Sequence, residues 1–482
     1  MPLLRIAWLR VAANVNGSCR MHNAHSQITA NWELTNHMGT TTVVDPLRIS
    51  VIGTGYLGAT HAVCMAELGF EVIGVDVDPG KIKRLTAGEV PFFEPGLEEL
   101  LRKNLESGRL SFTTSLADAA SAADVHFVCV GTPQHPESNS ADMRYVDAAV
   151  SGLIAGGLRP GSLVVGKSTV PAGTAARLAA WLSEQAPGVE LAWNPEFLRE
   201  GFAVDDTLRP DRLVFGVAPG GNAEATLHRV YASVIAAGTP VVTVDYPTAE
   251  LVKVAANAFL ATKISFINAM AEVCEVTGAD VTHLSKAISY DTRIGGRFLH
   301  AGLGFGGGCL PKDIRAFQAR ATELGAGQAV AFLAEVDAIN LRRRTRTVTL
   351  ATEALGGDVT GKKVAVLGAA FKPNSDDIRD SPALAVADTL RKAGATVAVY
   401  DPAAIPNAQR AYPEIIYADN AVDAATGAHI VLHLTEWTEF RELAPNALTA
   451  VVAARTIIDG RNTLNPAQWR AAGWTYHALG RP

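Results

Sequence analysis

Cysteine is sparse in this 482-residue sequence: five residues, Cys19, Cys64, Cys129, Cys274 and Cys309, lie far apart with no CxxC pair among them. An odd, dispersed set excludes a disulfide framework and a zinc site built on paired thiolates, and suits a reducing compartment such as the cytoplasm. The formal net charge of −6 is spread along the chain without a basic run, which argues against nucleic acid as a partner. No apolar stretch reaches the ~18 residues that a membrane span needs, so no membrane partner is expected. His429 and His433 stand four apart in a strand-like apolar run, with no carboxylate or cysteine beside them. They read as structural, and no metal is expected. Aromatics make up only 7 % of the chain, while 48 % is hydrophobic and glycine numbers 43. That is the balance of an α/β protein with well-buried cores, and the length allows two or three domains.

Residues 1–46 also lack something, namely periodicity. Arg5 and Arg10 interrupt the mildly apolar opening, so no secretory signal is expected. The segment reads as a disordered arm, or as a start placed upstream of a true start at Met38, and no function is assigned to it.

From Leu47 the pattern changes. LRISVIGTGYLGATHAVCMAELGFEVIGVDVD gives an apolar strand, then Gly53, Gly55 and Gly58 in G-x-G-x-x-G, a helical stretch through Ala62–Leu68, and a strand Val72–Val75 ending in Asp76. The first glycine permits a tight turn, the second lets backbone approach a pyrophosphate, and the third lets helix pack on strand. An acid about 20 residues on accepts ribose hydroxyls and repels a 2′-phosphate, so the expected cofactor is NAD. Lys81 either braces the adenosine ribose or caps a surface helix. Further strands at Val125–Val130 and Leu163–Gly166 lead into VGTP and KSTVP. Thr132, Ser168 and Thr169 thus fall at the strand ends where ligands of open sheets bind, although the same dipeptides are common turn punctuation.

A strand at Leu191–Trp193 runs into NPEFLREG, in which Glu196 and Glu200 are spaced to share one side of a helical turn, for acid–base work or simply as an exposed pair. A long helix is expected over Thr248–Val281, with Lys253 and Asn257 one turn apart among apolar residues. Desolvation there would ease deprotonation of Lys253, unless its ammonium snorkels to water. Cys64, Cys129 and Cys274 read as packing. The stretch GFGGGCLPKD, Gly304–Asp313, puts three glycines before Cys309 and Pro311 after it. Either Cys309 opens a helix whose dipole favours thiolate, with Asp313 one turn on, or it is a small cysteine in a glycine-rich turn. A second strand–helix–strand unit spans Gly361–Pro402 without the tight glycine spacing, so a second NAD is not expected. Strands His429–Leu434 and Thr456–Ile458 complete a small sheet.

Taken in order, GTGYLG, GEVPFFEPGLEELL, VCVGTP, KSTVP, NPEFLREG, LRPDR, AELVKVAANAFLATKISFINAM, RIGGRFLHAGLGFGGGCLPKD, FKPNSDDIRDSP and TEWTEFREL with IIDGRN resemble the UDP-glucose 6-dehydrogenase family, within the wider nucleotide-sugar dehydrogenases. The resemblance runs from Leu47 to the C-terminus. It implies two Rossmann-like domains joined by a long central helix and a helical dimerisation region. The segments would be 47–246 for NAD, 247–346 central and carrying the cysteine, and 347–482 for the UDP-sugar. By the same resemblance Cys309 is the nucleophile, Lys253, Asn257 and Asp313 handle protons, oxyanion and water, Glu196 is the acid–base glutamate, and Thr169 joins the catalytic set. Gly53, Gly55, Tyr56, Leu57, Gly58, Asp76, Lys81, Thr132, Ser168, Thr169, Glu200 and Arg379 fall to the cofactor. The substrate falls to Glu196, Phe197, Leu198, Glu200, Lys253, Asn257, Phe298, His300, Gly302, Gly304, Phe305, Gly306, Phe371, Lys372 and Arg461, with Arg293 reaching a neighbouring subunit's sugar. Ala269 stands where relatives often carry Glu.

The implied reaction is a four-electron oxidation of UDP-glucose to UDP-glucuronate by a cytoplasmic homodimer or higher homo-oligomer, serving nucleotide-sugar metabolism and polysaccharide biosynthesis. The rivals are the same chemistry on UDP-N-acetylmannosamine or GDP-mannose, and a non-catalytic NAD-binding scaffold that dimerises through its long helix.

Overall fold

Short aliphatic and β-branched runs between polar turns form two sheets in the computed structural model, which describes residues 47–482. The expectations for residues 1–46, Cys19 and Met38 included, lie outside the described residues. The first sheet comprises β1 (Arg48–Ile52), β2 (Glu71–Val75), β3 (Leu110–Thr113), β4 (Val125–Val128), β5 (Leu163–Gly166), β6 (Glu190–Trp193), β7 (Leu213–Val217) and β8 (Val241–Val244). Its order is β3-β2-β1-β4-β5-β6-β7-β8, parallel except where β7 meets β6. β4 and β5 are buried along their whole length, as parallel strands covered on both faces must be. The winding reverses between β1 and β4, which opens a crevice at their carboxyl ends.

The second sheet comprises β9 (Lys363–Leu367), β10 (Thr396–Tyr400), β11 (Ile416–Tyr417), β12 (Ile430–His433), β13 (Thr456–Asp459) and β14 (Thr475–Ala478), in the order β11-β10-β9-β12-β13-β14. It repeats the winding of the first six strands and is larger than expected. The four sheet edges, β3, β8, β11 and β14, and β7 beside β8, have no counterpart in the sequence reading. Edge strands are short and half wet, so their apolar pattern is weak. Where β1 passes to its helix within three residues, β9 is followed by a long loop, and the next helix begins only at Pro382. The loop returns, however: Ser381, the N-cap of that helix, donates to Ala369 O (2.7 Å) just past β9, so only the short glycine turn is missing from the second sheet.

Between the sheets runs the central helix Tyr246–Thr277, 32 residues long. Asp245 caps its first turn through Thr248 N (2.8 Å) and Gly278 ends it in a left-handed conformation, four residues short of the expected Val281. By length and composition this helix could cross a membrane, with an 18-residue window of mean hydropathy 1.3, which corrects the expectation that no such stretch exists. Instead it buries Glu250, Lys253, Asn257, Ser265 and Asn268 against protein. It packs on the cysteine helix Leu310–Glu323 and on the helix Phe332–Ala354.

The fold's tightest fit is at the first turn. A Cβ at Gly58 would stand 1.7 Å from Gly53 O, so Gly58→Ala must push the helix Tyr56–Glu67 off β1. A thermal melt should show a loss of about 1–3 kcal/mol, the usual cost of overpacking.

Candidate active site

The cofactor crevice is built as the glycines require. Gly55 caps the helix Tyr56–Glu67 with no side-chain bond and with open space around its α-carbon, so the first amides face the crevice unpaired. Leu57 packs against the sheet's core. Asp76 Oδ2 accepts from Thr54 N and from Lys81 Nζ, both at 2.8 Å. Burial raises the Asp76 carboxyl, but Lys81 and the amides of Asp78 and Thr54 outweigh it and hold it below the usual range. Lys81 is thus paired with the acid that is expected to meet the ribose. Thr132 Oγ1 donates to Thr169 O (2.8 Å) and Ser168 Oγ to Val130 O (2.6 Å), lacing together the loops that follow β4 and β5. Open amides at a helix start with an acid at the end of β2 fit the pyrophosphate and ribose of NAD.

Cys309 sits at the N-cap of the helix Leu310–Glu323, with Pro311 in the first turn. Asp313, one turn on, accepts from Asn257 Nδ2 (2.7 Å) and Lys312 Nζ (2.6 Å). Lys253 lies 3.0 Å from Glu196, both side chains largely buried, and its Nζ stands 5.6 Å over the Phe197 ring. Lys312 Nζ also lies 3.5 Å from Thr132 Oγ1, which ties the cysteine helix to the end of β4. An apolar cavity of about 310 Å³ lies beside Asp313 and Thr169, walled by Val170, Pro171, Leu251 and Phe317; Cys309 does not line it.

Two electrostatic expectations are reversed. Cys309 is open to solvent on one side but crowded by protein, and burial, then Asp313 and Glu196, push its thiol up to about 11 against the pull of Lys253 and Lys312. The helix dipole alone does not produce a resting thiolate, because burial, followed by Asp313 and Glu196, outweighs it. Burial does weaken the Lys253 ammonium, yet Glu196, Cys309 and Asp313 more than offset it and raise the lysine above its ordinary value. Lys253 is a firmly held cation. Nor do Glu196 and Glu200 share a helical turn, since residues 194–199 are irregular. Pro195 lacks a donor, Glu196 Oε2 takes the Leu198 amide (2.8 Å), and the helix starts only at Ala203.

Glu200 faces the second sheet instead, accepting from Ser375 Oγ (3.1 Å) and Arg379 Nη2 (3.2 Å). Burial and Asp377 raise its carboxyl to about 7, with Arg379, Lys372 and Ser375 opposing. The glycine run is pressed against the helix Phe332–Ala354 and against that same half. A Cβ at Gly304 would lie 2.4 Å from Asn340 Oδ1, at Gly306 2.3 Å from Asp380 O, at Gly307 2.8 Å from the Phe371 ring and at Gly308 2.2 Å from Arg379 Cζ. These glycines let protein groups approach the backbone closely. Arg461 crosses the gap, donating to Gly304 O (3.0 Å), Leu434 O (2.7 Å) and Phe371 O (3.1 Å). Gly302 N donates to Asn268 Oδ1 (2.9 Å) and Phe305 N to Asn340 Oδ1 (2.7 Å), fixing the loop before the cysteine. Lys372 lies over the Phe371 ring, its ammonium weakened by burial. Phe298, at φ +65°, and the exposed His300 follow on that loop. Arg293 stays outside this cluster, exposed and paired with Asp291.

Two lysines escaped the sequence reading. Lys312 was passed over between two named residues. Lys167, at the end of β5, is fully enclosed, donates to Asn194 Oδ1 (3.0 Å) and holds the loop that carries Glu196; burial lowers its ammonium to about 8. Its signal was a lysine directly after a wholly apolar strand.

A dinucleotide cradle that opens beside a cysteine, a firmly held cation and two carboxylates fits an NAD-dependent dehydrogenase. The comparisons narrow that class. Three models described as the NAD binding, central and UDP binding domains of the UDP-glucose/GDP-mannose dehydrogenase family match residues 47–235, 247–342 and 365–466. The chain belongs to that family. It is 42 % identical over 439 residues to UDP-glucose 6-dehydrogenase of Rhizobium meliloti, covering 90 % of this chain and 100 % of the relative. It is 39 % identical to the Pseudomonas aeruginosa enzyme of that name, covering 90 % and 98 %. A UDP-glucose dehydrogenase structure from Pyrobaculum islandicum superposes with a TM-score of 0.83 at 38 % identity, covering 93 % of this chain and 100 % of that one.

The raised thiol sets a direct test. Thiolate is the alkylated form, so inactivation of the free enzyme by iodoacetamide should still be climbing at about pH 10. A plateau by about pH 8 would contradict the charge balance described at Cys309.

Proposed function

We propose that the protein oxidises the C6 alcohol of UDP-glucose twice, releasing UDP-glucuronate, with Cys309 holding the intermediate between the two oxidations. The observation that carries this reading is the convergence of Cys309, Lys253, Asn257 and Asp313 at the carboxyl edge of the cofactor sheet. The names of the relatives support the substrate. NAD, when bound, takes up the hydride at each oxidation. The sulfur of Cys309 adds to the aldehyde carbon and the carbonyl oxygen gains a proton, giving a thiohemiacetal. Loss of a hydride and the hydroxyl proton leaves a thioester, and water then displaces the thiol as the carboxylate forms. Because the resting thiol is neutral, a neighbouring carboxylate, Asp313 or Glu196, takes its proton as it attacks. Lys253, kept cationic by Glu196, stabilises the oxyanion at each stage, and Asn257 holds Asp313 toward the water.

The central helix shows solvent an apolar row at seven-residue spacing, Phe259, Phe266 and Val273. On this reading a second copy of the chain covers it, and the exposed Arg293 reaches the partner's sugar.

The experiment that tests the function is the NADH yield over a panel of UDP-glucose, UDP-N-acetylmannosamine and GDP-mannose. Two NADH per UDP-glucose are expected, and turnover of another sugar alone would move the specificity to the rival branch. Cys309→Ser should bind UDP-glucose yet form no UDP-glucuronate at a measurable rate; normal acid formation would remove the cysteine from the chemistry. Lys253→Ala should lower kcat by about 10²–10³, as loss of an oxyanion donor does, with a much smaller change in KM.

A further inference from the structure

Outside the catalytic cluster, one buried carboxylate has an unusual set of partners. Glu94 lies in the loop between the helices Pro79–Thr86 and Leu97–Glu106, and is 7 % exposed. Its Oε2 accepts from Gly201 N (2.6 Å) and from the Tyr56 hydroxyl, and its Oε1 from Ala203 N (2.7 Å). The Tyr56 hydroxyl accepts a second share of the Gly201 N–H at 2.9 Å. Tyr56 is the first residue of the helix that Gly55 caps, so this knot joins the cofactor turn to residues 201–203.

The next link crosses to the second half. Gly201 is held at φ +79°, and a Cβ there would stand 2.6 Å from Asn374 O. Its neighbour Glu200 binds Ser375 and Arg379. The Arg379 guanidinium in turn fills the space beside Gly308, where a Cβ would lie 2.2 Å from its Cζ, and Cys309 follows. One dipeptide, Glu200-Gly201, therefore has its backbone fixed by the first half and its side chain fixed by the second.

We propose that Glu94 is a positioning residue for the reaction: by clamping the Gly201 and Ala203 amides it sets Glu200 and Arg379, and through them the backbone that presents Cys309. The inference rests on Cys309 being the nucleophile. Neither Glu94 oxygen can be replaced by an N–H2 without setting donor against donor, so the near-isosteric Glu94→Gln should loosen the knot while keeping its volume. Gly201→Ala attacks the same junction from the opposite side, and Tyr56→Phe removes only one hydroxyl.

With the full-length enzyme, thermal melts first identify which variants are folded at the assay temperature. In folded Glu94→Gln and Gly201→Ala, kcat should fall about tenfold or more, the scale on which small misplacements act, with a smaller change in the same direction for Tyr56→Phe. The Kd for NADH should stay within about threefold for Glu94→Gln, a modest change for a residue outside the crevice. Alkylation of Cys309 by iodoacetamide, without any substrate, should change by about fivefold as Arg379 shifts beside it. A purely structural role would lower the melting temperature and leave both rates alone. Folded variants with kcat and alkylation within about twofold of the parent would overturn the proposal. If the parent fails to oxidise UDP-glucose, the functional reading falls, and the alkylation result still decides the role of Glu94.

Discussion

The buried pair between Lys253 and Glu196, 3.0 Å apart, is the constraint around which the site is organised. A charge left alone in such an interior costs about 3–5 kcal/mol, so each partner commits the element that carries it. The central helix must turn Lys253 toward the end of β6, and the loop after β6 must hold Glu196 out to meet it. That loop is anchored beneath by Lys167 on Asn194. A second string of polar groups, from Asn257 through Asp313 to Lys312, lies next to the pair and reaches Thr132 on the cofactor sheet. Cys309 stands among both, and burial together with Asp313 and Glu196 raises its thiol against the pull of Lys253 and Lys312.

The same strand order is wound twice, to different ends. The first sheet passes at once from β1 to a helix and offers bare amides to a dinucleotide. The second delays its helix, and the long loop after β9 reaches across to press Phe371, Arg379 and Asp380 against the glycines before Cys309. Arg461 and the Arg344–Asp380 pair stitch the same gap. The cysteine loop is thus gripped from both sides, which explains why it can dispense with side chains over several residues and still hold one conformation.

Much of this was legible in one dimension. The interior strands other than β7 announced themselves by largely apolar runs, the cofactor turn by its glycines and Asp76, and the helix at Cys309 by Pro311. Edge strands such as β11 and β14 were silent because water shares their surface and blurs the alternation. The helical pairing of Glu196 with Glu200 failed because spacing carries meaning only once a helix exists, and Pro195 with its short polar neighbours did not build one. Glu94 went unnoticed because its three donors lie about 38 and 107 residues away along the chain.

By itself the sequence determined what each segment is locally: which runs bury both faces, where helices begin and stop, which residue types are available for chemistry, and the family to which they belong. Those properties depend on neighbours within a few turns. The tertiary structure alone decided the charge states of Cys309 and Lys253, the division of labour between Glu196 and Glu200, and the use of the glycines as a seat for the second half. Charge and close contact depend on distance through space, and the groups that set them are brought together only when both sheets have folded.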